Sequence, residues 1–138
     1  MSTAEKKPTD RQIYGKLGED AAAAYYVSHG YTVVARNLHV AHNELDLIVE
    51  NETHLVFVEV KSRHQAYGEE SRFGRPASAV TRDKRMRTVN AAKGYLREHH
   101  TYKQPRIDIV EVYLRRNADG THAVEQVVPF HNAFGAKG

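Results

Sequence analysis

The sequence predicts an α/β fold in the order αβββαβ with one further strand, a central mixed sheet flanked by helices. Three observations carry this expectation. Apolar residues over 11–29 recur near the helical period and stop at Gly30. Three strand-like runs then follow with no helix between them. A second helical stretch separates those runs from two last ones.

Taken in order, residues 1–10 are polar and include Pro8, which predicts a flexible N-terminal arm ahead of a single domain over 11–138. The first helix rests on Ile13, Leu17, Ala21, Ala24 and Val27, with Gly30 as its stop. "YTVVARN" reads as a strand, and 44–50 and 54–63 read as two more, joined by a turn around Asn51 to Thr53. The segment "HQAYGEESRFGRPAS" is polar, rich in Gly and Pro, and too long for a tight turn. A second helix is expected over 79–99, with Met86, Val89, Ala92 and Leu96 on one face and Pro105 beyond its end. "RIDIVEVYLRR" and "HAVEQVVPF" are the last strands, linked through the turn signal "ADG".

Composition narrows the function classes. A chain of 138 residues, 41% hydrophobic and 27% charged, suits one folded domain and excludes wholesale disorder. It has no cysteine, which removes disulfides, thiolate metal sites and thiol nucleophiles. No run approaches the roughly 20 apolar residues of a membrane helix, and no secretory leader is recognisable, so a cytoplasmic protein is expected. The net charge of +3 and pI near 9.2 permit a polyanionic partner without requiring one. None of the nine histidines pairs at a spacing typical of zinc-binding helices.

The stretch "HNELDLIVENETHLVFVEVKSR" concentrates charge where a small core needs aliphatics. With a two-residue turn at Glu52 and Thr53, Asn51 faces His54. Counting back along both strands, Asp46 then faces Glu59, with Cβ atoms about 4.5–5.5 Å apart. A turn one residue longer or shorter would break that pairing. Facing carboxylates destabilise a sheet unless a proton or a cation lies between them. Mg²⁺ needs only one or two protein carboxylates and fills its remaining positions with water and phosphate oxygens, so the pair points to phosphodiester chemistry. Lys61 follows Glu59 by two residues and falls on the same face, where it can orient or help deprotonate a metal-bound water and offset transition-state charge. Taken singly, each of these residues also reads as an ordinary solvated strand residue. At the start of the second helix, Arg82, Lys84, Arg85 and Arg87 form either a solvated face or a phosphate-binding one.

"ELDLI" followed by "LVFVEVKSR" resembles the PD-(D/E)xK nuclease motif, with Asp46 as the first acid and Glu59-Val60-Lys61 as its ExK element. "GKLGEDAAAAYYVSHGYTVVARN", "FGRPASAVTRDK", "RIDIVEV" and "HNAF" resemble the bacterial YraN (UPF0102) family over about 14–134. That resemblance implies a restriction-endonuclease-like fold, related to archaeal Holliday junction resolvases, and a family of predicted nucleases. It implies that Asp46, Glu59 and the Val60 carbonyl hold Mg²⁺ or Mn²⁺, that Lys61 is the catalytic lysine, and that Glu19 on the first helix approaches the metal. Resolvases cut symmetrically as dimers, which raises a homodimer as an expectation. Asn43 departs from the family pattern, which has Gly at that position. Asp108 in "RIDIV" is expected to have a structural hydrogen-bonding role. Gly15 and Gly18 each cost a helix roughly 1 kcal/mol relative to Ala, which suggests a surface kept flat for a sugar-phosphate backbone or else a frayed helix start.

The reading is therefore a metal-dependent endonuclease acting on DNA, with branched or structured DNA among its candidate substrates. Two readings stand against it. One is a non-cleaving nucleic-acid-binding module of the same fold that acts through a partner. The other is a structural protein in which Lys61 simply pairs with an acid.

Overall fold

The computed structural model describes residues 7, 9–63 and 82–133. Its elements run α1 (Asp10–Ser28), β1 (Thr32–Val40), β2 (Asn43–Glu50), β3 (His54–Arg63), α2 (Arg82–Glu98), β4 (Gln104–Arg116) and β5 (His122–Phe130). The five strands form one sheet in the order β1-β2-β3-β4-β5. All neighbours are antiparallel except β3 and β4, which run parallel. Parallel neighbours need a long crossover, and α2 lies within the segment that connects them. This is the predicted α/β order, with a mixed five-stranded sheet between two helices.

The first helix begins in a capping box. Thr9 Oγ1 accepts the Gln12 amide at 3.1 Å and Gln12 Oε1 accepts the Thr9 amide at 2.9 Å. Of the expected N-terminal arm, 1–6 and residue 8 lie outside the described residues, whereas Thr9 and Asp10 already belong to this helix and its cap. Gly30, at φ +88°, ends the helix in the left-handed conformation that favours glycine. The buried stripe sits one residue away from the expected one. Ala22, Ala23 and Tyr26 are buried, while Ala24 is exposed and Val27 is 56% exposed. Four consecutive alanines carry little phase information, and the large Tyr26 ring sets the rotation. In α2 the seam is Thr88, Ala91, Ala92 and Tyr95, and Met86 is 41% exposed rather than facing the core.

The sheet is covered on both faces, which accounts for the near-continuous apolar runs of β2, β3 and β4. One face packs Leu47, Val49, Val56, Val58, Val110 and Val112 against α1. The other packs Leu45, Ile48, Leu55 and Phe57 against Ala91, Ala92 and Tyr95 of α2. Among the described residues no helix is long and apolar enough to cross a membrane.

The two helix glycines have different reasons. A Cβ on Gly18 would run into the Ser62 side chain of β3, whose hydroxyl donates to the Tyr14 carbonyl at 3.2 Å. Gly18 thus lets α1 lie close on the sheet. A Cβ on Gly15 meets nothing within 4 Å. Gly18→Ala is therefore expected to destabilise the protein by about 1–3 kcal/mol through overpacking. Gly15→Ala should stabilise it by up to about 1 kcal/mol through helix propensity. Shifts of opposite sign in the urea midpoint check this; destabilisation by both changes would refute the assignment.

Candidate active site

The β2–β3 hairpin closes with the predicted two-residue turn. Asn51 supplies the chemistry: its Oδ1 accepts the Thr53 amide at 2.9 Å and the His54 amide at 2.7 Å, while its own amide donates to the His54 carbonyl at 3.0 Å. The pairs Glu50 with Leu55, Val49 with Val56, Ile48 with Phe57 and Leu47 with Val58 set the register. The pairing ends one step short of Asp46 and Glu59, which line one cleft.

There the ladder opens. The Asp46 carboxylate, not its backbone, accepts the Val60 amide, with Oδ2 at 2.9 Å from the nitrogen. The strand also turns over at this residue. Leu45 packs with the α2 cluster and Leu47 with the α1 cluster, although residues two apart on a regular strand share a face. Across β1, Arg36 pairs with Leu47 and Leu38 with Leu45, which leaves Asn37 facing Asp46. Asn37 is left-handed, at φ +50°, a conformation asparagine tolerates better than most residues. These irregularities in β1 and β2 accompany an Asp46 carboxylate that reaches the Val60 amide, in the gap between β2 and β3. A strand residue directs its N–H and C=O to the same neighbour. The Val60 carbonyl therefore faces the same gap as the amide bonded to Asp46.

Carboxylates surround that gap. A cleft of about 250 Å³ is walled by Asp46 and Glu59 together with Glu44, Leu45, Val58, Val60 and Thr88. Glu59 is 7% exposed. Burial first, and repulsion from Glu59, Glu19 and Glu44 after it, together raise the pKa of Asp46 from its ordinary 3.8 to about 6, against the favourable Val60 amide bond. Glu19 acts from the α1 side: its Oε1 accepts Asn37 Nδ2 at 3.0 Å. It lies outside the cleft wall, in a separate surface hollow with Lys16, Asp20 and Arg36. Lys61 is half-buried, stands next to Glu111 in the parallel register, and is likewise not part of the cleft wall.

Among the described residues, no three His, Asp or Glu side chains gather as a self-sufficient metal cage. Two carboxylates and a carbonyl nevertheless match the hard oxygen donors that Mg²⁺ or Mn²⁺ takes alongside solvent. A divalent cation there would also relieve the repulsion that pushes Asp46 up. The donor set fits the ion.

Of the expected phosphate-binding residues, Arg85 and Arg87 are exposed on α2, and the side chains of Arg82 and Lys84 lie outside the described residues. So does the whole segment 64–81, including "FGRPAS". Sequence reasoning missed Glu44, Thr88 and His42 at the site. Glu44, two residues before Asp46, lines the same cleft, and its Oε2 lies 3.2 Å from His39 Nε2. His42 sits in a two-residue turn with Ala41, at φ +69° and +50°. Such turns favour Asn-Gly, and an L side chain there costs roughly 1–2 kcal/mol. Without a glycine, this turn carries no signal that can be read from residue type.

The chain matches the model of "Uncharacterised protein family UPF0102" over residues 18–127. It is 38% identical over 97 residues to a UPF0102 protein of Phocaeicola vulgatus, covering 70% of this chain and 76% of that one. It is 35% identical over 124 residues to a UPF0102 protein of Chloroflexus aurantiacus, covering 87% and 97%. To a UPF0102 protein of Chlorobium phaeobacteroides it is 32% identical over 130 residues, covering 94% and 98%. Among solved structures it is similar to Pyrococcus furiosus SfsA in complex with Ca²⁺, with a TM-score of 0.44 and 14% identity, over 86% of this chain and 64% of that one.

Proposed function

The chain belongs to the uncharacterised protein family UPF0102, and from the chemistry of its carboxylate cleft we propose that it is a metal-dependent endonuclease hydrolysing phosphodiester bonds in DNA, branched or otherwise structured DNA included. The observation that carries the proposal is the opened ladder at Asp46, where a side-chain carboxylate accepts the Val60 amide and shares a cleft with the buried Glu59. A fold does not give up a ladder bond and gather acids around one position without compensation.

In this reading Asp46, Glu59 and the Val60 carbonyl hold Mg²⁺ or Mn²⁺. When bound, the cation supplies positive charge that polarises the phosphodiester and neutralises the acids. Lys61, on the Glu59 side of β3, orients the attacking water and stabilises charge on the phosphoryl oxygens. The water oxygen bonds to phosphorus and gives up a proton, one ester P–O bond breaks, and the leaving oxygen gains a proton. Glu19, tethered through Asn37, approaches from α1 and tunes Asp46. Lys84, Arg82, Arg85 and Arg87 carry the backbone phosphates along α2. The resemblance to the PD-(D/E)xK superfamily and its junction resolvases points to the same chemistry, and a homodimer belongs to that reading.

The test is a panel of labelled junction, flap, duplex and single-stranded DNAs, with RNA counterparts, incubated with Mg²⁺, Mn²⁺ or EDTA. Cleavage with either metal and none in EDTA is expected. Metal-dependent binding with every substrate intact would replace the endonuclease with a non-cleaving module.

A further inference from the structure

The cleft around Asp46 and Glu59 runs on into a second one of about 220 Å³ that shares Glu44, Glu59 and Thr88 and adds His42, Asn43 and Arg87. We propose that this extension is a second phosphate site, taking the backbone phosphate next to the one held at Asp46 and Glu59. Arg87 from α2 and His42 from the β1–β2 turn, which both line it, would read it together. The inference rests on the nuclease reading and adds a specificity-determining contact to it.

Three features point there. The guanidinium of Arg87 offers the planar fork that matches phosphate oxygens, and Arg87 lines this cleft, while among the described residues the charged side chains of the adjoining one are all acids. A groove with an acidic end for a cation and a basic end for an anion matches a phosphodiester chain entered at one metal-bound position. The turn at Ala41 and His42 is left-handed at both residues without a glycine, and strained backbone of this kind persists where the surroundings impose it, often at binding sites. Here it sets the His42 imidazole, a donor in either protonation state, on the cleft wall. Asn43 beside it is steadied by its Nδ2, which donates to the Ala41 carbonyl at 3.2 Å.

Glu44 and Glu59 stand in the same wall and repel an anion. Phosphate is therefore admitted only when a divalent cation offsets those acids, so the contact of Arg87 with DNA depends on metal. An ordinary basic patch would have the opposite property, binding as well in EDTA.

The experiment measures binding by fluorescence anisotropy, with labelled single-stranded, duplex, flap and junction DNAs in EDTA and in Ca²⁺. Ca²⁺ stands in for Mg²⁺, and gels verify that the DNA is intact. The proteins are wild type, Arg87→Ala, His42→Gly and Arg97→Ala, the last removing the same charge from the exposed far end of α2. In Ca²⁺, Arg87→Ala is expected to weaken the best-bound DNA about tenfold and Arg97→Ala less than about twofold. In EDTA the two should be equal. His42→Gly should weaken Ca²⁺-dependent binding several-fold while leaving the thermal midpoint unchanged or higher, because glycine relieves the turn. A residue serving only the turn would not separate binding from stability in this way. Equal losses for Arg87→Ala and Arg97→Ala in Ca²⁺, with wild-type binding intact, would overturn the subsite and leave the nuclease reading standing. No binding of any DNA by the wild type in Ca²⁺ would overturn both.

Discussion

Asp46→Asn is expected to lower metal-dependent cleavage by at least about a hundredfold and, in the same protein, to make the metal-free fold more stable at pH 8. Both effects come from one carboxylate. Its pKa is raised to about 6, first by burial and then by Glu59, Glu19 and Glu44. The folded state thus holds this proton more tightly than the unfolded chain does. Below the ordinary value of 3.8 both states are protonated and the group costs nothing. As pH rises through about 6 the folded state must ionise against its surroundings, and the cost is complete above that value. At about 1.4 kcal/mol per unit, the upper bound is about 3 kcal/mol. Asparagine carries no charge, and its Oδ1 can still accept the Val60 amide. Melting curves without metal at pH 4.5 and pH 8 should therefore show the variant gaining most at pH 8, and the gain should shrink when Mg²⁺ is added to the wild type. Lys61→Ala gives the contrasting profile: cleavage falls while cation binding survives and no stability is gained. Lys61→Arg should not restore cutting, because a guanidinium projects a wider, planar head whose donors point differently from those of an ammonium. Equal stability of wild type and Asp46→Asn at both pH values would mean that Asp46 is an ordinary solvated strand residue.

The register of the central hairpin could be read from the sequence because both strands are pinned by the same apolar pattern and the turn has two residues. Asn51 makes that turn through its side chain, a signal that "NET" carries only weakly. What escaped reading arises where the chain leaves regular geometry. The left-handed Asn37 and the turn-over between Leu45 and Leu47 are tertiary events, so nothing in a strict alternation announces that Leu45 and Leu47 pack on opposite faces of the sheet. Likewise the rotation of α1 is set by Tyr26, whose hydroxyl needs Asp108, a partner 82 positions away in sequence. The PD-(D/E)xK resemblance named the acids and the lysine. It did not supply Thr88 or His42, which depend on how α2 and the β1–β2 turn meet the sheet.

Asp108→Ala is expected to destabilise the fold by about 3–5 kcal/mol, the usual cost of breaking a buried charge pair. Asp108 is fully buried. Arg106 grips it with Nε and Nη2, each at 2.9 Å, Tyr26 donates to it at 2.6 Å and the Asn132 amide at 2.8 Å, while His131 Nδ1 lies at 3.1 Å. Burial alone would raise its pKa, but the bonds from Arg106, Tyr26 and the Asn132 amide outweigh it and hold the pKa below the ordinary value. The contribution is therefore complete above about pH 4 and is lost as pH falls through the folded value. This carboxylate joins "RIDIV" of β4 to "HNA" after β5, and through Tyr26 to α1. Its structural role in the sequence reading thus becomes a specific one: it fastens three distant segments at one point. Tyr26→Phe removes a single donor and should cost about 1–2 kcal/mol, clearly less than Asp108→Ala. In hydrogen exchange, the Asn132 and Ala133 amides, which donate to Asp108 and to the Ile107 carbonyl, should lose protection in Asp108→Ala before the β3 core does. A loss below about 1 kcal/mol, with those amides still protected, would show that the network is filled by solvent rather than holding the chain end in place.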